Sequence, residues 1–124
     1  MLDTNAYSSY MRGDGETAEL IAHADEILVP TPVLGELRAG FRAGTREGEN
    51  LELLEQFLSS PRVEVHTLGE VTAIYYAEVH GALRTAGTPI PTNDLWIASA
   101  ALESGSILVS ADSHFDAITG LVRR

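Results

Sequence analysis

The sequence contains no cysteine and no lysine. Without cysteine, the chain has no disulfide framework, no thiol nucleophile and no cysteine-bound zinc site. No apolar run approaches the roughly 20 residues that a membrane helix needs. The first residues, Met1 to Asn5, lack both the basic stretch and the apolar stretch of a secretory signal. We therefore expect a cytoplasmic protein without a membrane segment.

Several catalytic motifs are also missing. A phosphate-binding loop needs a lysine that this chain does not have, and no Gly-x-Ser-x-Gly elbow is present. The histidines are dispersed and show no metal-ligand spacing such as His-Glu-x-x-His; they are His23, His66, His80 and His114. His114 lies near Asp112 in sequence and could approach RNA, but we expect a structural or surface role for it.

Positive charge is scarce: the net charge is −10, and all eight basic residues are arginines. This composition argues against nucleic-acid binding, which normally depends on basic contacts to phosphate. A divalent cation held by acidic residues would weaken that objection. Arg38, Arg42 and Arg46 recur at helical spacing, which suits either a phosphate-contacting stripe or a solvated helix face. The sequence leaves both interpretations open.

The length of 124 residues favours a single domain over residues 1–124, since two domains would each be too small to enclose a core. Short β-type segments alternate with helical ones, which predicts a mostly parallel sheet of about five strands covered by helices on both faces. The predicted strands are 1–4, 26–30, 62–66, 106–110 and 121–123. The predicted helices are 6–11, 17–24, 32–43, 47–58, 70–86, 93–103 and 113–118. The helices rest on apolar stripes such as Leu34, Leu37 and Phe41.

Acidic residues follow the predicted strands or begin the predicted helices. Asp3 follows the first strand, Asp112 follows the strand that ends near Ser110, and Asp94 begins an apolar helix. Taken singly, the two strand-end acids are typical helix caps, and Asp94 is a first-turn acid favoured by the helix dipole. Glu36, beside Leu37, would alone be a surface residue at the rim of a buried face.

Together these acids predict more than caps. Parallel strands end at the same sheet edge, where open α/β sheets carry their functional sites. Crowded carboxylates repel one another unless a cation or protons compensate. Carboxylate oxygens and retained waters are the ligands that Mg²⁺ or Mn²⁺ prefers. The pattern therefore favours a divalent-metal site.

Four short motifs, in order, resemble PIN-domain ribonucleases, and among them the VapC-type toxins of bacterial toxin–antitoxin pairs. They are Leu2-Asp3-Thr4-Asn5, residues 34–40 around Glu36, residues 93–98 beginning Asn93-Asp94, and residues 108–115 around Asp112. The resemblance implies a three-layer α/β/α PIN-like fold. It departs from the family in one respect: only Met1 and Leu2 precede Asp3, so the first strand is short for a central one, and the natural start is in question.

The resemblance also implies an activity and a site. It implies a Mg²⁺- or Mn²⁺-dependent endoribonuclease that acts on RNA as a homodimer and is obstructed by a small VapB-type antitoxin. Asp3, Glu36, Asp94 and Asp112 would form an acidic quartet; Asp3, Asp94 and Asp112 would bind metal, and Glu36 would help to orient the attacking water. We interpret Thr4 and Ser110 as hydroxyls that either assist these acids or shape turns, and Asp116 as a solvated residue rather than an accessory acid.

Other functions remain open. Receiver domains and phosphatases also place acids at strand ends, but they use a lysine that this chain lacks. A non-catalytic acidic module that binds a basic partner would use the same acids as caps and solubilising charge. Trp96, Tyr75 and Tyr76 lie within predicted helices and suit core or dimer contacts better than base stacking.

Overall fold

The computed structural model describes residues 1 to 124. Its regular β-structure is a two-stranded parallel sheet made of β1 (Ile27–Pro30) and β2 (Val63–His66). Ile27 lies opposite Val63 in the register. β-Branched side chains favour this pleated backbone, and β1 buries Ile27 and Val29 in the core. The two strands confirm the predicted segments 26–30 and 62–66.

Three further segments predicted as strands form only isolated bridges. Leu2 makes one parallel bridge to Val109, and Leu108 makes one to Arg123. The prediction of about five strands is therefore not confirmed. The neighbouring elements cut two of these segments short, because Asp3 already caps a helix and Asp112 caps another. Too few residues remain extended for a ladder.

The bridged segments still lie beside β1. The N–H of Leu2 donates to the carbonyl of Leu28 at 3.0 Å, and the N–H of Val109 donates to the carbonyl of Met1 at 2.8 Å. Because every bridge is parallel, these segments run towards the sheet edge at which β1 ends. Asp3 therefore leaves its segment at that edge. The three-layer arrangement stays a prediction.

Six α-helices and one 3₁₀ helix make up most of the chain. Each helix begins and ends within two residues of its predicted range. The α-helices are α1 (Thr4–Met11), α2 (Gly15–His23), α3 (Thr31–Ala43), α4 (Glu47–Leu58), α5 (Glu70–Ala86) and α6 (Thr92–Ser104), and the 3₁₀ helix is Ser113–Ala117. None of them combines the length and apolar character that crossing a membrane requires.

Helix α6 forms the centre of the core. Its residues from Leu95 to Ala101, apart from Trp96, are buried, as expected of a helix that is apolar on most sides. It packs mainly against α5. Gly105 ends α6 in the left-handed conformation at φ 65°, which glycine adopts without the steric cost of a Cβ. The rigid packing of α6 fixes the position of Asp94 in its first turn.

Candidate active site

Two predicted acids and one histidine form a compact group at the start of α6 and of the 3₁₀ helix. Single ligand atoms of Asp94, Asp112 and His114 all lie within 4.8 Å of one another. His114 Nε2 is 3.1 Å from Asp94 Oδ2, and Nδ1 of the same ring is 2.9 Å from Asp112 Oδ1. The imidazole therefore lies between the two carboxylates.

Asp94 is the electrostatic centre of the site. Burial raises the pKa of its carboxyl group above the usual value, and the neighbouring charges of Glu36, Asp112 and Asp3 raise this pKa further, while His114 opposes the increase. The structure thus brings the other three predicted acids close enough to Asp94 to raise its pKa. Such crowding destabilises the charged forms unless something positive compensates.

Asp3 and Asp112 also cap helices. Asp3 is 6% exposed, and its Oδ1 accepts a hydrogen bond from the N–H of Ala6 at 2.8 Å. Asp112 Oδ1 accepts one from the N–H of His114 at 3.2 Å. The capping role that the sequence suggests is therefore correct for both residues. It does not exclude a second role, because each carboxylate has a further oxygen.

Glu36 approaches the group from α3. Its side chain is half-buried, and Oε1 accepts a long hydrogen bond of 3.4 Å from Nδ2 of Asn93, the residue before Asp94. This contact joins α3 to the first turn of α6. Glu36 and Asp3 lie outside the compact group of ligand atoms, so they surround it rather than belong to it.

The donor atoms suit a divalent cation. Carboxylate oxygens are typical ligands of Mg²⁺ and Mn²⁺, and an imidazole nitrogen adds a donor that suits transition metals. Thr4 Oγ1 and His114 Nε2 are the two buried side-chain polar atoms without a hydrogen-bond partner; the contact of Nε2 with Asp94 lacks hydrogen-bond geometry. Both atoms belong to residues at or beside the acids. Buried polar atoms are normally satisfied, so an ion or water fits here.

A comparison with protein families identifies the fold. The family model of the PIN domain matches residues 1–121. The chain belongs to the PIN-domain family. The sequence resemblance given above is thereby confirmed.

Curated relatives of this PIN domain carry the name of a ribonuclease. Ribonuclease VapC2 of Rickettsia felis is 32% identical over 127 residues, which cover 98% of this chain and 93% of the relative. Ribonuclease VapC1 of Haemophilus influenzae strain R2866 is 28% identical over 126 residues, with 98% and 92% covered. The similarity spans almost the whole of each protein.

Solved structures agree with the family. The crystal structure of VapBC2 from Rickettsia felis, bound to a DNA fragment from their promoter, contains a chain that matches with a TM-score of 0.88 and 30% identity, covering 100% of this chain and 96% of that one. VapBC-1 from nontypeable Haemophilus influenzae matches with a TM-score of 0.88 and 27% identity, covering 100% and 95%. These likenesses confirm the PIN-like α/β fold.

His114 is the residue of the site that the sequence did not reveal. We predicted a structural or surface role for it, and the structure instead sets its ring between Asp94 and Asp112. The sequence offered one signal, the two-residue spacing from Asp112, and this spacing alone does not fix the direction of the ring. Because His114 follows Asp112 by two residues at the start of the 3₁₀ helix, its side chain is held beside that acid.

The remaining residues near the site have structural contacts. Ser110 Oγ accepts a hydrogen bond from the N–H of Asp112 at 3.1 Å, which shapes the turn. Both carboxylate oxygens of Asp116 accept bonds from Arg123, at 2.7 and 2.8 Å, and this pairing lowers the pKa of Asp116. Asp116 is exposed in the 3₁₀ helix, as predicted, and its carboxylate is paired with Arg123 rather than with the acids of the site.

The predicted arginine stripe is shorter than expected. Arg38 and Arg42 are exposed on α3, but Arg46 lies beyond the end of that helix and pairs with Glu49 at 2.9 Å. The three arginines therefore do not share one helix face. Arg38 and Arg42 remain without a side-chain partner, which leaves both original interpretations open for these two residues.

Proposed function

We propose that residues 1–124 form a single PIN domain that acts as an endoribonuclease toxin of a toxin–antitoxin pair. The observation that carries the proposal is the crowding of Asp3, Glu36 and Asp112 around Asp94, whose carboxyl pKa is raised. A cluster of acids that lowers the stability of the fold is typical of a functional site. The ribonuclease names of the relatives that span nearly the whole chain support the same activity.

The quartet Asp3, Glu36, Asp94 and Asp112 would form the catalytic site, with Mg²⁺ or Mn²⁺ as the cofactor. Asp3, Asp94 and Asp112 would hold the metal, and His114 offers a nitrogen donor between two of them. When bound, the metal activates water and neutralises charge on the phosphodiester. Glu36 would help to orient the attacking water, and its contact with Asn93 fixes it beside the first turn of α6.

The proposal includes partners. The neighbouring structures are complexes named VapBC, so we infer that this chain binds a VapB-type antitoxin that obstructs the acidic site. We further propose a homodimer. An RNA substrate and an antitoxin partner both suit a cytoplasmic location.

The test is cleavage of structured RNA with Mg²⁺ or Mn²⁺ by the parent chain, by Asp3→Asn and by Asp94→Asn. Each substitution keeps the size of the side chain and removes its charge. We expect cleavage by the parent chain, its loss in both variants and its loss on chelation. Cleavage that persists through all three changes would refute the proposal.

The same material separates the alternatives. A phosphoryl-transfer enzyme or receiver domain would form an aspartyl-phosphate with acetyl phosphate, which intact mass detects as an added phosphoryl group. A non-catalytic acidic module would neither cut RNA nor gain thermal stability from the metal. If the chain is the proposed nuclease, we expect RNA cleavage and thermal stabilisation by the metal, and no phosphoryl adduct.

A further inference from the structure

A small pocket lies between α5, the segment that leads into α6 and the first turn of α6. Its volume is about 340 Å³, at the lower end of the range for small-ligand sites. Leu83 and Leu95, which are buried, contribute to its lining, while Tyr76, His80 and Arg84 contribute polar and aromatic groups. The pocket is therefore apolar inside and polar at its edge.

Aromatic rings form a column beside this pocket. The ring centroids of Trp96 and Tyr76 are 4.2 Å apart, and those of Tyr76 and His80 are 6.0 Å apart with an angle of only 15° between the planes. Trp96 and Tyr76 are half-buried, whereas His80 is exposed at the end of the column. An exposed ring at the end of a fixed column is a surface on which another flat ring can stack.

Arg84 supplies positive charge at the pocket. It is exposed, it lines the pocket, and its side chain forms neither an ion pair nor a hydrogen bond. By contrast, Arg46 and Arg123 are paired with acids, and Arg62 donates to backbone carbonyls of Ala24 and its neighbours. Arg84 is thus free to contact a phosphate, or to lie flat against a base.

The pocket adjoins the acidic site along the chain. Thr92 and Leu95 line it, and they stand on either side of Asp94 in the first turn of α6. At about 100° per residue, Leu95 lies on the helix face next to that of Asp94, so the pocket and the acid occupy adjacent faces of the same turn. An RNA strand that follows the first turn of α6 from Asp94 would therefore pass the pocket.

A protein partner fits this pocket less well than a base does. The exposed apolar residues of α5 that a protein interface would cover are Val71 and Ile74, at 53% and 56% exposure. At about 100° per residue they lie on the side of α5 opposite Tyr76. The pocket itself offers a stacking ring and an unpaired cation, which are the features that recognise single-stranded RNA.

We propose that Tyr76, His80 and Arg84 form a nucleobase subsite that positions single-stranded RNA next to the acidic quartet. The proposal rests on the proposed ribonuclease function and adds the location of substrate binding. It adds a role for Tyr76 to the core or dimer contact that the sequence favours, since Tyr76 also packs against the core. Tyr76 supports the column, His80 stacks on the base, and Arg84 contacts the adjoining phosphate or the base.

The experiment measures binding of a fluorescein-labelled single-stranded oligoribonucleotide by fluorescence anisotropy with Mg²⁺, in the Asp94→Asn background so that the RNA stays intact. A series of oligonucleotides carries one abasic nucleotide that is moved along the strand. We expect one position to weaken binding by about tenfold, as for the loss of one stacked base. In His80→Ala an abasic nucleotide at the same position should no longer weaken binding, because the ring on which the base stacks is absent.

Matched controls remove the same residue types elsewhere. His23→Ala changes an exposed side chain of α2, and Arg12→Ala changes one directly after the end of α1. Both variants should keep the position-dependent loss. Arg84→Ala should weaken binding of every oligonucleotide in the series. The inference is wrong if His80→Ala and Arg84→Ala bind RNA like their controls. It is also wrong if these variants change the oligomeric mass and leave the abasic profile unchanged, because the pocket would then be a protein interface.

Cleavage by the parent chain is measured in parallel to separate this inference from the proposed function. If the parent chain cuts RNA and the pocket variants keep the normal abasic profile, only the subsite is refuted. If the parent chain neither cuts nor binds RNA, the proposed function and the subsite are both refuted.

Discussion

Helix α6 carries a histidine–carboxylate contact at each end, and the two have opposite electrostatic surroundings. At its last turn, Glu103 Oε2 accepts a hydrogen bond of 2.6 Å from Thr72 and lies 2.9 Å from His66 Nε2. The bonds from Thr72 and His66 lower the pKa of Glu103. At its first turn, Asp94 also meets a histidine, yet burial and three nearby acids raise its pKa.

The difference separates a stabilising cluster from a functional one. The Glu103 cluster is satisfied, since Thr72 also accepts a bond from the N–H of Gly69 at 3.0 Å, and its charge therefore stabilises the fold. The Asp94 cluster keeps excess negative charge and a buried His114 nitrogen without a hydrogen-bond partner. Proteins retain such unfavourable arrangements mainly where a ligand or a reaction compensates them. Substitutions made at each end of α6 and compared with one another test this distinction.

The largest expected effect concerns activity. Asp94→Asn should lower RNA cleavage by about a hundredfold or more, because a charged group that the reaction needs is lost. Glu103→Gln should leave the cleavage rate per folded molecule unchanged. Rates measured at equal concentrations of folded protein, checked by circular dichroism, give the comparison. Equal losses in the two variants would show that the two ends of α6 do not differ in function.

The next largest effect is on stability, and we expect it in the Glu103 cluster rather than at Asp94. Thr72→Val removes a fully buried hydroxyl that bonds both Glu103 and Gly69, so the free energy of unfolding should fall by about 2 kcal/mol. Thr85→Val is the matched control, because Thr85 is exposed on the same helix; it should change stability by less than about 0.5 kcal/mol. Urea denaturation measures both.

Asp94→Asn completes that comparison. In the absence of metal it should not lower the free energy of unfolding, since the substitution removes a half-buried charge that three acids repel. A loss comparable to that of Thr72→Val would mean that Asp94 stabilises the fold as Glu103 does.

A smaller effect should appear on adding metal. Mg²⁺ or Mn²⁺ at about five times its dissociation constant should stabilise the parent chain by about 1 kcal/mol, because the folded state alone offers the converged site. Thermal unfolding with and without the metal detects the shift. Glu103→Gln should keep it and Asp94→Asn should lose it. A shift that survives Asp94→Asn would place the metal elsewhere.

The helices were predictable because their signals are local. Glu47–Leu58 and Glu70–Ala86 have the predicted bounds, and Leu37 of the predicted apolar stripe is buried. Strand regularity was not predictable in the same way. Whether Leu2 forms one bridge or a ladder depends on its distant neighbours Leu28 and Val109 and on the cap at Asp3.

In the site, too, some features were predictable from the sequence and others were not. The acids could be named from motif order, and the structure brings the other three close enough to Asp94 to raise its pKa. The position of His114 could not be derived, because a histidine two residues after an acid has many orientations until the 3₁₀ helix and α6 fix it. The Tyr76–Trp96 contact likewise depends on how α5 packs against α6.

The smallest effect is a dependence of stability on pH. The pKa of Glu103 is lowered from its ordinary value of 4.5, so its charge stabilises the folded state above that pH, and the stabilisation is lost as the pH falls through the lowered folded value. The stability difference between the parent chain and Glu103→Gln should be about 1 kcal/mol or less near neutrality and should shrink below about pH 4.5. Urea denaturation from pH 7 to pH 3, within the range where the fold persists, measures it. A difference that stays constant in acid would show that packing, not the bonds from Thr72 and His66 to a charged carboxylate, determines what Glu103 contributes.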